Sequence, residues 1–109
     1  MGAAEDLTAE RVATQQRIAA LEAQVAGIVE TASASSGDDE HDPEGQTVAY
    51  DRAQAQALLV RARADLTEVD AAFERLDAGT YGICEVCGRP IPGERLEARP
   101  AARRCVRHA

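Results

Sequence analysis

Residues 84–108 read CEVCGRPIPGERLEARPAARRCVRH, with a pair of candidate metal ligands at each end. The first pair is Cys84 and Cys87, the second is Cys105 and His108, and two residues separate the members of each pair. Two ligands at this spacing can both face one ion when the backbone between them turns tightly, and Gly88 permits the left-handed conformation that such turns use. Three thiolates and one imidazole suit a tetrahedral site, so the stretch predicts one structural Zn²⁺ ion.

Two other interpretations of these cysteines were possible from the spacing. A redox CxxC motif follows a strand and begins a helix, but no strand is predicted before Cys84. If His108 were not a ligand, three cysteines would leave a water position on the ion, as in catalytic zinc sites. Since Glu85 is the only general base near the ligand pairs, we expect a structural site and no enzymatic activity.

The composition provides little for a compact apolar core. The chain has 109 residues and is 45% hydrophobic, but 23 residues are Ala, and there are two Tyr, one Phe and no Trp. A chain with so little bulk needs repetitive helix packing, a metal, or both. The abundance of Ala, Leu and charged residues favours helix and excludes a β-sandwich or barrel.

Two long segments carry the apolar period of a coiled coil. Alternating steps of three and four residues connect the positions of each seam: Leu7, Arg11, Thr14, Ile18, Leu21, Val25, Ile28 and Ala32, then Val48, Arg52, Ala55, Leu59, Ala62, Leu66, Val69, Phe73 and Leu76. The seams predict helices over residues 4–34 and 47–78, joined by an acidic loop over 33–46 and stopped by Gly79. The simplest arrangement is an antiparallel hairpin; the alternative is a small bundle closed by a second copy of the chain.

The fold class predicted from these features is all-α with a small zinc finger. An antiparallel coiled-coil hairpin over residues 1–78, with the acidic tip loop 33–46, precedes a treble-ribbon-like Cys3His zinc module over residues 79–109. The second segment is rich in Gly, Pro and Arg and has no apolar period, so we expect it to depend on the metal.

Charge is divided unevenly along the chain. The formal net charge of −7 combines −8 over residues 1–50, −2 over 51–82 and +3 over 83–109. The acidic part disfavours direct contact with DNA, and only the Arg-rich C-terminal segment could bind phosphates. No apolar run approaches the ~20 residues of a membrane span, and the first residues lack the layout of a signal peptide, so we expect a cytoplasmic protein without membrane contact.

The C-terminal segment resembles the DksA/TraR zinc-finger family of bacterial transcription factors. The resemblance rests on Tyr81-Gly82-Ile83-Cys84-Glu85-Val86-Cys87-Gly88, on Ile91, on Arg95-Leu96-Glu97-Ala98-Arg99-Pro100 and on Cys105. It implies a regulator that binds RNA polymerase through the secondary channel and places an acidic coiled-coil tip near the catalytic magnesium to modulate initiation. The fourth ligand of the family is usually Cys, where this chain has His108.

The resemblance also bears on the tip and on a small-molecule partner. The family tip carries Asp-x-x-Asp-x-Ala, which matches Asp39, Asp42 and Glu44 in one alignment and His41 and Glu44 in another, so both registers stay open. Asp42, Glu44 and then Asp39 are therefore the expected polymerase-contact residues. A family Lys linked to guanosine tetraphosphate falls at Glu68, which leaves this alarmone undecided as a partner.

A different class of function remains as an alternative. A nucleic-acid-binding zinc finger could use Arg89, Arg95, Arg99, Arg103, Arg104 and Arg107 to grip phosphates. Tyr81 is the only aromatic residue nearby, which disfavours base stacking. We therefore expect no direct sequence-specific DNA binding.

Overall fold

The computed structural model describes residues 2–34 and 43–109, and the side chains of residues 2–27 and 46–109. Two long helices dominate it: α1, Ala3–Ala34, and α2, Pro43–Ala78. A short helix, α3, Gly93–Ala98, and a single 3-10 turn, Val106–His108, follow. The described residues contain no strand, only an isolated antiparallel bridge between Ile83 and Pro90. The predicted all-α class with a small C-terminal module is therefore confirmed.

The helix boundaries agree with the sequence prediction at three of four ends. α2 begins at Pro43, four residues before the expected start, so residues 43–46 are helical although they were expected in the loop. A proline is well suited to the first position of a helix because its fixed φ is helical and its missing N–H has no partner there in any case. The end of α2 lies where Gly79 predicted it: Gly79 has φ +78°, and the Thr80 N–H donates to the Arg75 carbonyl at 2.9 Å.

The chain divides into two compact units. One consists of Gln15–Ala64, where Leu21, Leu59 and Ala62 are buried together and Ile18 packs against them. Leu59 and Ala62 belong to the seam of α2, and Ile18 and Leu21 to that of α1. The predicted seams therefore face each other in this unit, as antiparallel helices require.

The other unit consists of Met1–Thr14 and Asp65–Ala109, so it contains the start of α1, the end of α2 and the whole C-terminal segment. Leu7, Val69 and Ala72 are buried in it. Arg11, a polar position of the predicted seam, lies 4.1 Å from the centroid of the Phe73 ring and 2.8 Å from Asp70. Arg11 can therefore occupy a seam position, because its guanidinium contacts both an aromatic ring and a carboxylate on α2.

Thr14 is the other polar residue of the first seam, and it is fully buried. Its hydroxyl donates to the Glu10 carbonyl one turn earlier at 2.8 Å, so burial leaves no unpaired polar atom. Arg52, the corresponding polar position in α2, is exposed. Among the described residues no helix combines the length and apolar character that crossing a membrane requires.

Candidate metal centre

Cys84, Cys87, Cys105 and His108 converge at one point of the C-terminal segment. One ligand atom from each residue lies within 4.8 Å of the other three. The Cys87 and Cys105 Sγ atoms are 3.9 Å apart, and His108 Nδ1 lies 3.2 Å from Cys105 Sγ and 3.7 Å from Cys84 Sγ. A tetrahedron built from zinc bond lengths of about 2.3 Å to sulfur and 2.0 Å to nitrogen has edges of roughly 3.8 Å between two sulfurs and roughly 3.5 Å between sulfur and nitrogen. The four side chains therefore fit a metal of zinc's size and ligand preference.

The first ligand pair is held by a tight backbone turn. The Gly88 N–H donates to the Cys84 carbonyl at 2.9 Å, and the Cys84 N–H donates to the Arg89 carbonyl at 2.9 Å. Gly88 has φ +70°, the left-handed conformation that its position after Cys87 predicted. The turn thus brings both thiols to the same side of the backbone, where the second pair meets them.

The second pair spans the 3-10 turn Val106–His108, which begins directly after Cys105. The His108 N–H donates to the Cys105 carbonyl at 3.0 Å, which folds the imidazole back over the preceding sulfur. The Glu85 N–H donates to the Arg103 carbonyl at 3.0 Å, and this bond connects the residues before Cys105 with the first ligand pair. Both ligand pairs are consequently fixed by backbone hydrogen bonds as well as by their side chains.

Two of the four candidate ligands, Cys84 and Cys105, have a lowered pKa. Burial raises the pKa of Cys84, but backbone N–H groups of Cys105, Cys87 and Val86 outweigh it and lower the pKa to about 5. Burial likewise raises the pKa of Cys105, but hydrogen bonds from His108, the Arg107 backbone and Cys87 together outweigh it, so the pKa of Cys105 is lowered. Since thiolates are the metal-binding form of cysteine, the geometry prepares at least part of the donor set for a cation.

Burial differs among the ligands. Cys84 is buried at 1% exposure, Cys105 and His108 are half-buried, and Cys87 is exposed. The site therefore lies at the surface of the segment, with one thiol turned toward solvent. Ile91 is buried beside it at 4% exposure, and its N–H donates to the Gly82 carbonyl at 2.7 Å.

Residues of the predicted family motif hold the rest of the segment together. The Tyr81 hydroxyl donates to the Pro100 carbonyl at 2.8 Å, and Arg95 Nε donates to the Arg104 carbonyl at 2.7 Å. These two bonds close the loop between the ligand pairs. The residues that carry the resemblance are thus those that fix the path of the loop, beyond the ligands themselves.

Several charged residues around the centre were not singled out as a group by the sequence. Arg103 contacts Glu68 and Glu85, Arg104 contacts Glu85, and Arg75 donates to the Ala101 carbonyl at 3.3 Å. Burial lowers the pKa of Arg75, and the neighbouring Arg103 lowers it further. No periodicity or motif predicts these contacts, since they join residues distant in sequence.

The predicted tip residues lie at the edge of what the structure describes. Asp39 and Asp42 are outside the described residues, as is His41 of the second register. Glu44 lies in the first turn of α2, and its side chain is not among those described. The role of the tip stays a prediction.

Comparison with known proteins identifies the C-terminal segment. Residues 79–107 match the model of the prokaryotic dksA/traR C4-type zinc finger. General stress protein 16O of Bacillus subtilis is 42% identical over 71% of this chain and 47% of its own length. The RNA polymerase-binding transcription factor DksA of Caulobacter vibrioides is 44% identical over 48% of this chain and 37% of its own length.

A solved structure extends the similarity to both helices. Transcription factor DksA2 from Pseudomonas aeruginosa superposes with a TM-score of 0.60 at 28% identity, covering 95% of this chain and 80% of that protein. Among the curated relatives, the matched segments span a quarter to a half of the relatives' length, as in the 27% and 47% of two Bacillus subtilis proteins. The C-terminal segment of this chain therefore belongs to the DksA/TraR zinc-finger family.

Proposed function

We propose that this chain is a non-enzymatic transcription regulator that binds RNA polymerase and whose residues 79–109 fold around one structural Zn²⁺ ion. The observation that carries the proposal is the Cys3His cluster, set in a segment that matches the dksA/traR finger. Several matched proteins bear names that state RNA polymerase binding. The superposition with DksA2 over both helices supports the same class of partner for the whole chain.

Zinc has a structural role in this proposal. Cys84, Cys87, Cys105 and His108 supply four donors, which complete a tetrahedron and leave no position for a reacting water. When bound, the ion crosslinks the two ligand pairs and so stabilises a segment that buries few side chains. A closed site of this kind is the reason why we propose no catalytic activity.

Metal content and thiol reactivity test this part of the proposal. We expect one zinc per chain and slow reaction of Cys84, Cys87 and Cys105 with a thiol reagent until a chelator is added. Three freely reactive thiols in protein purified with excess zinc would contradict the proposed site. Metal analysis of Cys84→Ser, in which a buried ligand is replaced, serves as the control for adventitious zinc.

The tip is proposed to act on the polymerase active centre from the secondary channel. Asp42, Glu44 and Asp39 are hard oxygen donors of the kind that Mg²⁺ prefers, and a cluster of carboxylates presented near that ion can perturb it without reacting. The hairpin over residues 1–78 would present these residues to the enzyme, and the finger over residues 79–109 would remain outside. In this proposal, the negative charge of the tip is what modulates transcription initiation.

Attachment and action can be separated by mutation. The double variant Asp42→Asn with Glu44→Gln removes two charges with little change in shape, so we expect zinc content and polymerase binding to persist while the effect on initiation is lost. Glu22→Gln with Asp51→Asn is a matched control, because both carboxylates are exposed on the described helices. Equal activity of all three proteins at saturating concentration would show that the acidic tip has no regulatory part.

Binding itself is measured by co-elution with bacterial core RNA polymerase. A protein that occupies the secondary channel should displace this chain from the complex. Failure to co-elute would refute RNA polymerase as the partner, and co-elution without displacement would refute the channel as the site.

The structure weakens the alternative of a nucleic-acid-binding finger. Arg103 and Arg104 lie within ion-pair distance of Glu68 or Glu85, so their charges are compensated within the chain. Arg95 also directs its Nε to a backbone carbonyl. We expect no appreciable affinity for promoter duplex at physiological salt; micromolar binding with a steep inverse salt dependence in an anisotropy titration would favour the alternative.

The alarmone guanosine tetraphosphate receives no support from the equivalent position. Glu68 places a carboxylate there, and that carboxylate already accepts hydrogen bonds from Arg103. Cooperation with the alarmone, if measured, would have to depend on other residues.

A further inference from the structure

A chain of ion pairs connects α2 with both ligand pairs of the metal centre. Glu68 on α2 accepts hydrogen bonds from Arg103 Nε at 2.5 Å and from Arg103 Nη2 at 3.2 Å. The remaining Nη1 of Arg103 lies 3.9 Å from a Glu85 oxygen, and the other Glu85 oxygen accepts from Arg104 Nε at 2.8 Å. Arg103 is thus shared between a helix residue and a residue of the zinc finger.

The ion pairs involve residues that lie next to the candidate metal ligands in sequence. Glu85 directly follows Cys84, and Arg104 directly precedes Cys105. The Glu85 N–H also donates to the Arg103 carbonyl at 3.0 Å, so backbone and side chains join the same two stretches. The position of Arg103 relative to α2 and the alignment of Cys105 with Cys84 therefore involve one connected set of contacts.

Glu68 fixes Arg103 because it is bidentate and lies on a rigid element. A fork of two N–H groups on one carboxylate sets both the distance and the orientation of the guanidinium. The α2 backbone around Glu68 is regular helix, and Val69 beside it is buried at 2% exposure. A single partly exposed ion pair adds little to stability, but residues around metal ligands influence affinity by setting ligand geometry before the ion arrives.

We infer that Glu68, sixteen residues before the first ligand and without contact to the ion, is a positioning residue for the metal centre, acting through Arg103 on the alignment of the two ligand pairs. The inference rests on the zinc binding proposed above. The affinity for zinc then depends on the contact between α2 and the finger as well as on the four ligands.

The test compares zinc affinity among variants of the full chain by competition with a chromophoric chelator. Glu68→Gln keeps the size of the side chain but removes its charge, and we expect a zinc affinity about tenfold lower. Asp70→Asn is the matched control: Asp70 lies on the same helix, is 55% exposed against 46% for Glu68, and pairs with Arg11 at 2.8 Å, away from the finger. Its affinity should equal that of the wild type.

A double-mutant cycle distinguishes positioning from a general loss of structure. Arg103→Gln should weaken zinc binding to a similar degree, and the double variant Glu68→Gln with Arg103→Gln should be no weaker than the worse single variant. Far-UV circular dichroism should be the same for all four proteins. Additive losses, or a loss of helicity that parallels the loss of affinity, would overturn the inference.

The failure of this inference differs from failure of the proposed site. Equal zinc affinity in Glu68→Gln, Asp70→Asn and the wild type would overturn the positioning role while the site itself stands. A wild type that binds no zinc would instead refute the proposed metal centre. Co²⁺ substitution gives a second readout, since Glu68→Gln should shift the affinity but keep the absorption bands of a three-sulfur, one-nitrogen ligand set.

Discussion

Removing the metal from the full chain should unfold residues 79–109 and leave most of the helix in place. Within this segment only Cys84, Ile91 and Pro100 are buried. Because so little apolar surface leaves water, we expect the segment to depend on the proposed metal for its folded state, with metal binding coupled to folding.

The size of the change follows from where the helical residues lie. α3 contains six residues, against 32 in α1 and 36 in α2. If only the finger unfolds, far-UV circular dichroism should lose less than about a tenth of its helical signal. Twelve residues of α1 and fourteen of α2, however, belong to the same compact unit as the finger. If that whole unit unfolds together, the loss rises to roughly two fifths.

We expect the smaller loss, because the helix ends have contacts of their own. Arg11 pairs with Asp70 and covers the Phe73 ring, and neither contact involves the finger. The assay is a chelator titration followed by circular dichroism and thiol reactivity in the same sample, with Cys84→Ser as a control that should already show the chelated spectrum. A loss near two fifths would refute the boundary at residue 78, and unchanged thiol protection after metal removal would refute the coupling.

Three further outcomes test single side chains. His108→Ala should weaken zinc binding at least about tenfold and His108→Cys should tighten it, as measured by chelator competition; equal affinities would exclude His108 as a ligand. Ile91→Ala should lower the free energy of unfolding of the zinc-loaded finger by about 2–5 kcal/mol, since Ile91 is 4% exposed; urea denaturation measures this, and a loss below about 1 kcal/mol would contradict its burial. Tyr81→Phe should cost about 1 kcal/mol by removing the hydrogen bond to Pro100. Burial raises the pKa of Tyr81 above its ordinary value of 10.0, so this contribution is complete below pH 10 and is lost as the pH rises through the higher pKa of the folded state; the alkaline loss of stability should be smaller in Tyr81→Phe.

The helical seams could be predicted because burial on a helix repeats with a fixed period. Leu7, Leu21, Leu59 and Val69 lie where steps of three and four placed them, and all are buried. Ala72, which is fully buried beside the predicted Phe73, escaped the prediction because alanines occur both on and off the predicted seam of α2. A residue that is common on and off the seam carries little information about which face is buried.

The convergence of Cys84, Cys87, Cys105 and His108 could be predicted because the spacing within each pair is set by local backbone geometry. Cys84 and Cys87 need only one turn between them, and Gly88, which has φ +70°, is typical of such a turn. The contacts of Glu68 with Arg103 could not be predicted, since 35 residues separate the two and either could have faced solvent. Ion pairs between common charged residues far apart in sequence can be identified only from the three-dimensional structure.

The number of arginines alone is therefore a poor basis for inferring what the finger binds. Six arginines within residues 83–109 suggest a phosphate-binding surface. Two of them, Arg103 and Arg104, are ion-paired with Glu68 or Glu85. These are the contacts that we propose to align the ligand pairs. A phosphate surface would need these cations free, and freeing them would loosen the metal centre on which the fold of the segment depends. Binding a strongly anionic partner through Arg103 and Arg104 would compete with keeping the proposed zinc site aligned. We therefore expect the finger to support the chain's architecture and not to bind a nucleic acid.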